Sequence, residues 1–339
     1  MATSQDFVNW VCNPEALDYR YLKYALLAER TSYSRFSHGT THQTIYFPEV
    51  KAFHLCAPAK AAQTAIADVL TALDDKIENN RRTAWALERL ARAIFRAWFV
   101  DFEPIKAKAG GATSFPSMPQ AVFDALPTRF INSEIGPVPE GWEMKSIGDV
   151  VSVKGGATPS TKSPEYWDGG THCWATPKDM SRLSHPVLLD TERHITDAGI
   201  NGISSGLLPP GTVLLSSRAP VGYLAIAGVP TAINQGFIAM VCDGPLPPTY
   251  VLQWTYASMD AIHGRASGTT FPEISKTNFR PLPVVVPTPE VVAAFRGLAD
   301  PLFDLLTATV KEDCSLAATR DYLLPRLLSG SVRVEPVNG

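Results

Sequence analysis

The chain compares with itself at an offset of about 229 residues, and a duplicated plan constrains its fold more than any single motif does. Gln5-Asp6-Phe7-Val8-Asn9-Trp10-Val11-Cys12 resembles Gln235-Gly236-Phe237-Ile238-Ala239-Met240-Val241-Cys242, and after a one-residue shift Tyr21-Leu22 falls on Tyr250-Val251. Gly39-Thr40-Thr41 and Ile45 then fall on Gly268-Thr269-Thr270 and Ile274, Pro58 on Pro287, and Leu73 on Leu302. The matched stretch runs from the end of a globular module into a helix. The copies are unequal, because only 4 residues precede Gln5. Set against a second module beginning near Trp142, about 89 counterparts are missing before Met1, and the first module is expected to be a remnant.

Both copies lead into long amphipathic segments. Apolar residues recur in steps of four and three at Ile66, Leu70, Leu73, Ile77, Ala84, Leu87, Ala91, Ile94 and Trp98, with Asn80 as a polar interruption, which is a heptad seam. The intervening positions carry charges such as Asp75, Glu78, Arg82, Arg89 and Arg92, a solvated face. The same frame in the second copy gives Phe295, Ala299, Leu302, Leu306, Thr309, Leu316, Leu323 and Leu327, with Asp313 and Arg320 breaking the seam. Thr288-Pro289-Glu290 reads as a helix start and Ser329-Gly330 as a stop, and Pro325 is expected to disturb the last turns. A helix of roughly 38 residues is about 57 Å long, close to one and a half turns of duplex DNA at about 35 Å each. Each stripe is either the core face of an ordinary bundle or one half of an antiparallel pair related by a pseudo-two-fold axis. The symmetry favours the pair. Asn80 and Thr309 then either fix its register or are tolerated there.

Between the helices, Pro104 to Pro139 is rich in Pro, Gly and Ser and reads as a linker. From Trp142 to Pro287 the pattern is of short strands at Asp149–Val153, Gly211–Ser216, Gly222–Gly228 and Gly236–Val241, with a helical stretch from Pro248 to His263. The fold class is α+β, a module of short strands and loops with two long helices forming an antiparallel coiled coil. Several loops offer groups suited to phosphates and base edges: Lys154 to Lys162, Thr176 to Asp179, Ser216 to Arg218, and Ser267 to Thr270. Gly permits close backbone approach, Lys and hydroxyls bind phosphate, and Arg grips guanine through two parallel hydrogen bonds. Such loops are also common as plain turns, and Ser216-Ser217-Arg218-Ala219-Pro220 reads equally as a scaffold turn whose Arg caps carbonyls.

Composition excludes several classes. With 45% hydrophobic and 19% charged residues the chain is globular rather than disordered, and no apolar run reaches the roughly 18 residues a membrane span needs. No basic-then-apolar leader opens the sequence, so the cytoplasm is the expected location. The net charge of −3 advertises no polyanion binder. Cys12, Cys56, Cys173, Cys242 and Cys314 form no C-x-x-C pair and read as buried small hydrophobes. His172-Cys173 has no second pair to complete a zinc site, so no metal site is expected. Asn13-Pro14-Glu15-Ala16 lacks the second proline and the aromatic residue of a methyltransferase loop, and Gly155-Gly156 lacks the Gly-Lys-Ser/Thr of a P-loop. There is no H-E-x-x-H and no G-x-S-x-G elbow, and no catalytic residue is assigned.

Pro137-Val138-Pro139-Glu140-Gly141-Trp142, Ser216-Ser217-Arg218-Ala219-Pro220-Val221-Gly222, Ile233-Asn234-Gln235-Gly236-Phe237, the helix opening from Ile66-Ala67 to Asn80, and Leu323-Leu324-Pro325-Arg326-Leu327-Leu328-Ser329-Gly330 remain to be placed. In order, spacing and duplication they resemble the DNA specificity subunit of type I restriction-modification enzymes, from Gln5 to Val334. The resemblance implies two target-recognition domains, each reading half of a split double-stranded DNA site, and two helices packed antiparallel as a ruler on which modification subunits dock. It implies no cofactor in this chain. S-adenosylmethionine would be held by the modification (methyltransferase) subunits, and ATP with magnesium by the restriction (translocase and nuclease) subunit. The protein would be a non-catalytic recognition subunit with no membrane partner.

On this reading residues 1–58 are the end of a first recognition domain, 59–103 the central helix, 104–141 the linker, 142–287 the second recognition domain, 288–330 the C-terminal helix and 331–339 a tail. DNA contacts are expected from Lys154, Thr158, Ser160, Lys162, Lys178, Ser217, Arg218, Thr269, Thr270 and Lys276. The helix interface is expected from Ile66, Leu70, Leu73, Ile77, Asn80, Leu87, Phe295, Leu302, Leu306, Thr309 and Leu316. The short first copy implies a truncated gene product, a misassigned start, or two half-size chains pairing to complete the second half-site. The alternatives are an inactive truncated subunit and a coiled-coil assembly protein whose module binds protein.

Overall fold

The apolar seams become two helices, Lys60–Phe95 and Pro289–Leu328. The computed structural model describes residues 7–29, 45, 47–268 and 272–335, so Gln5, Asp6, Gly39, Thr40, Thr41, Thr269 and Thr270 of the repeat and the expected site lie outside the described residues. The chain divides into two compact units, 1–82 with 311–339, and 83–310, and each long helix contributes to both.

In the first unit the helix Tyr19–Ala28, capped by Asp18, packs on the helix pair. Tyr21, Tyr24, Ile66, Leu70 and Leu327 share one buried cluster, flanked by half-buried Leu323 and Leu324. Leu70 beside Leu327, Asp74 on Arg320 and Asn80 on Glu312 run in opposite directions along the two helices, so the pair is antiparallel here. Gln63 staples the entry to the central helix: its Nε2 donates to the Ala16 and Pro58 carbonyls (3.0 and 2.8 Å) and its Oε1 accepts from Asp18 N–H (2.9 Å). The residues that break the second seam are answered from the first. Asn80 Nδ2 donates to Glu312 and Asp313 (2.8 and 2.9 Å), and Arg320 donates to Asp74 (3.0 Å). Asp74 also accepts from Lys23 and from the Tyr24 hydroxyl, both at 2.8 Å, so one carboxylate ties three helices. Burial alone would raise this carboxyl, but hydrogen bonds from Lys23, Tyr24 and Arg320 outweigh it and hold the group below its ordinary range.

The second unit holds twelve strands among its described residues: β1 Phe130–Ser133, β2 Gly136–Pro139, β3 Glu143–Ser146, β4 Ser152–Gly155, β5 His172–Ala175, β6 Val187–Leu188, β7 His194–Ile195, β8 Val213–Ser217, β9 Val221–Ala227, β10 Thr231–Ile233, β11 Phe237–Val241 and β12 Pro283–Val286. The main sheet has the order β4-β11-β8-β9-β6, a smaller one β10-β5-β7, and β1–β2 and β3–β12 pair separately. Pro248–Ala257 and Met259–Gly264 supply the expected helical stretch as two helices. The expected strand at Asp149–Val153 is corrected: Ile147–Val150 is a helical turn and the strand starts at Ser152. The core is aromatic, with Phe99 and Tyr250 at 4.8 Å, Phe95 and Tyr250 at 4.9 Å, and Phe99 and Phe295 at 5.2 Å between ring centroids. After Phe95 a π-helical turn spans Arg96–Val100, and Trp98 and Phe99, three and four residues on from Phe95 and so on the same face, are both buried.

The duplication survives as a shared contact. Tyr21 and Tyr250 each donate a hydroxyl hydrogen bond to the carbonyl 35 residues on, Cys56 (2.7 Å) and Val285 (2.8 Å). Each also packs beside the helix residue at the same repeat position, Ile66 and Phe295. The copies differ at Phe7–Cys12, which carries no strand where its counterpart is β11, because no strands equivalent to β4 and β8 flank it among the described residues.

Three further expectations are corrected. The Pro104–Pro139 segment is not an open linker: it forms helices Glu103–Ala109 and Gln120–Ala125 and the β1–β2 hairpin, and Ile105, Phe123, Leu126 and Val138 are buried in the core. Pro325 does not break the last turns, since the helix runs through it to Leu328, held by Leu323, Leu324 and Leu327 against Tyr21 and Leu70. Of the cysteines only Cys173 is buried, while Cys56 and Cys314 are exposed.

Replacing Asp74 by Asn should destabilise the protein by roughly 1–3 kcal/mol at pH 7, because Lys23 and Arg320 lose their counter-charge. The folded carboxyl lies below its unfolded value, so its contribution is full above about pH 4 and is lost as pH falls through the folded value. Urea unfolding of the wild type and Asp74→Asn should therefore converge as the pH falls below the ordinary carboxylate range.

Candidate nucleic-acid interface

The strand ends of the second unit gather the loops that the sequence singles out. Beyond β4, Ala157 N–H donates to the Ile233 carbonyl (3.0 Å), which ties the Lys154–Lys162 loop to the turn after β10. That turn is bound to β5 through Asn234 N–H and the Ala175 carbonyl (3.0 Å), and Gly236 lies against the Pro177 ring. The β8–β9 turn joins through Ser217 N–H to the Gly236 carbonyl (2.8 Å), and the Ser217 carbonyl accepts from Ile274 N–H (3.0 Å). Four loops distant in sequence thus form one rim through backbone hydrogen bonds.

Gly156 shows what the glycines do here. A Cβ at this position would collide with the Ile233 and Asn234 carbonyls, so the close approach that requires glycine is to the protein's own backbone. The Asn234 side chain also belongs to the scaffold, accepting from Gly236 N–H (2.8 Å). Ser216 closes the β8–β9 turn, donating to the Pro220 carbonyl and accepting from Tyr223 N–H, both at 2.8 Å. Ser217, expected among the contacts, is 4% exposed, and its hydroxyl cannot reach a ligand while the turn holds.

Lys154, Thr158, Ser160, Lys162 and Lys276 are exposed. Lys276, at the start of the helix Lys276–Phe279, lies along Gly155, which brings it beside β4 and Lys154. Among the described residues Lys162 and Lys276 make no ion pair, while a hydrogen bond from Ser152, helped by the charge of Lys154, holds the Asp243 carboxyl below its ordinary range. Lys178 instead pairs with Glu192 at 2.9 Å, and Arg182 joins the same carboxylate at 2.7 Å. The hydrogen bond from Lys178, with Arg182 in support, holds Glu192 below its ordinary range. Arg218 is half-exposed at the turn and loosely held, its guanidinium 3.8 Å from Glu273. Thr158 donates to Gln235 Oε1 at 2.6 Å, which places an exposed amide on the rim. Gln235 is absent from the expected contacts although its Asn-Gln-Gly turn is legible in the sequence. Arg193 is a second omission, stacked 3.5 Å over the Trp167 ring.

The expected helix-interface residues divide between the units. In the first, Ile66, Leu70, Ile77 and Asn80 are buried, with Leu73 and Leu316 half-buried. In the second, Ala84 and Leu306 share a buried cluster with half-buried Leu87 and Phe303, Phe295 is fully buried, and Leu302 is half-buried. Thr309 returns its hydroxyl to the Leu305 carbonyl at 2.7 Å, while Asn80 is taken by Glu312 and Asp313, so the two matching polar positions are satisfied separately.

A family model described as the type I restriction modification DNA specificity domain matches residues 1–89 and 139–291. The chain belongs to this family. The second match contains the entire rim from Lys154 to Lys276, and the double match agrees with the internal duplication. Among specificity-domain relatives, the MjaIX specificity subunit of Methanocaldococcus jannaschii is 39% identical over 165 residues, 48% of this chain and 38% of that protein. The HindI specificity subunit of Haemophilus influenzae is 27% identical over 336 residues, 87% of this chain and 72% of that protein. The crystal structure of the type I restriction-modification S subunit from M. genitalium shares the fold at 17% identity, with a TM-score of 0.58 over 93% of this chain and 74% of that one. Among the described residues no helix is long and apolar enough to cross a membrane.

Gly156→Ala should lower thermal stability by about 1–3 kcal/mol or more, since backbone on both sides must move. A wild-type melting temperature in that variant would show that the loop is not clamped at this point.

Proposed function

We propose that the chain is a non-catalytic, sequence-reading subunit of a type I restriction-modification assembly. Residues 142–287 act as a recognition domain for one DNA half-site. The observation that carries this reading is the rim itself: four loops joined by backbone bonds, bearing the exposed Lys154, Lys162 and Lys276 and the polar groups of Thr158, Arg218 and Gln235. Exposed lysines serve phosphates, while Gln and Arg match adenine and guanine edges. Residues 1–58 correspond by repeat to the end of such a domain. The helices 59–103 and 288–330 pair with each other and carry modification subunits, whose docking would cover exposed Trp85, Leu90, Leu305 and Tyr322. On this reading S-adenosylmethionine belongs to the modification subunits, and ATP with magnesium to a restriction subunit. The assembly works in the cytoplasm, where its DNA is.

The test is binding of the chain, alone and with co-expressed modification subunits, to a randomised duplex library across a series of salt concentrations. Affinity should fall as salt rises, with one selected half-site motif. Lys154→Ala with Lys276→Ala should reduce the log–log salt slope by about 0.9 for each phosphate no longer neutralised, and leave the motif unchanged. Gln235→Ala should cost roughly 1–3 kcal/mol and relax preference at one base pair. No retention of any duplex at low salt, with or without the modification subunits, would instead favour a protein-binding assembly role.

A further inference from the structure

The sequence sets His172 and Cys173 side by side, but neighbours on a strand point to opposite faces and do not bind one ion together. His172 turns to Asp197 (2.7 Å). Cys173 faces across the sheet: in the β5–β7 register its direct partner is His194, and Asp190 closes the group from the loop before β7. Cys173 Sγ lies 3.7 Å from His194 Nε2 and 3.7 Å from Asp190 Oδ1, and the last two are 2.9 Å apart. Among the described residues this is the one group of three metal-ligating side chains of the His, Cys, Asp and Glu type.

These separations decide between a chance polar contact and a coordination site. Tetrahedral zinc holds sulfur at about 2.3 Å and nitrogen or oxygen at about 2.0–2.2 Å, which sets the ligand atoms about 3.4–3.6 Å from one another. The two sulfur distances come within about 0.1 Å of that range, and the His–Asp pair needs to open by only about 0.5 Å from a hydrogen bond. The donor set of one thiolate, one imidazole and one carboxylate suits a borderline-soft dication better than calcium or magnesium. Cys173 is buried at the back while the Asp190 side chain is 75% exposed, so the site is open towards solvent for entry and for a water as fourth ligand. Burial, reinforced by Asp190, pushes the free thiol up. The thiol proton would leave to solvent as the metal arrives.

We propose that Cys173, His194 and Asp190 form a three-ligand site for Zn²⁺ or a similar thiophilic divalent cation, which fastens β7 and its preceding loop to β5. The loop that it fastens carries Thr191, whose Oγ1 accepts from Trp174 N–H (3.1 Å). It also carries Glu192, whose N–H donates to Asp179 (2.8 Å) and whose carboxylate holds Lys178 and Arg182. The ion would thus order the ground beneath the Lys178 loop, a role independent of whether that loop meets DNA.

The full chain, stripped with a chelator and dialysed, is titrated with Co²⁺ and then Zn²⁺. One equivalent of Co²⁺ should produce visible bands of four-coordinate cobalt and a thiolate-to-cobalt charge-transfer band, both removed by one equivalent of Zn²⁺. Cys173→Ser should abolish the charge-transfer band. His194→Gln, at a half-buried position that tolerates change if Cys173→Ser fails to fold, should weaken binding by more than the about 10- to 100-fold that loss of an outer-shell partner costs. Far-UV circular dichroism checks that each variant is folded. No charge-transfer band, or one that persists unchanged in either folded variant because another of the five cysteines supplies it, would overturn the assignment.

Discussion

Each long helix carries an apolar stripe whose exposure costs roughly 25 cal/mol per Å², and the rest of the chain is arranged around hiding it. The helices cannot do this alone, because a pair buries only one seam on each. In both units a tyrosine-bearing helix closes the remaining side. Tyr21 packs with Ile66, and Tyr250 with Phe295, and each hydroxyl finds a carbonyl just before the long helix begins. The hydrogen bond satisfies the one polar atom that so large a buried ring brings with it. That solution, used twice, is what remains of the duplication after most side chains have diverged.

The polar residues in the seams follow the same logic. Asn80 in the seam would be costly if left buried without partners, and Asp74 beside it is half-buried, yet each meets a residue that interrupts the opposite seam. Interruptions that look like weakness in one helix are complementary when the other is brought alongside. An apolar stripe specifies that helices pair; matched polar residues specify at which residue they do so.

The rim of loops separates scaffold from display. Backbone hydrogen bonds, the Ser216 turn, the Thr158–Gln235 hydrogen bond and the Gly156 approach hold four segments together, while Lys154, Lys162 and Lys276 stay exposed on them. A scaffold whose own bonds do not pass through the displayed side chains can change those side chains freely. This separation suits a protein family whose members are specificity subunits, as the MjaIX and HindI relatives are. Lys178 is the exception, since Glu192 and Arg182 engage it in the structure of the rim itself.

Local pattern and repetition were enough to establish the α+β class, the two helices, most strands of the main sheet and the loops that hold the rim, because period, turn chemistry and self-similarity are written along the chain. The same information misjudged 104–141, where Pro and Gly suggested an open linker but Ile105 and Phe123 find a core. It also placed Ser217 at the surface, and of the residues around Cys173 it noted only the adjacent His172. These were decided by tertiary structure, since burial and across-sheet register depend on which strand lies opposite. No residue's immediate neighbours record that Cys173 faces His194 or that Thr158 reaches Gln235. Sequence proximity fixes the direction in which a side chain leaves its own element; only the packed fold determines what it meets.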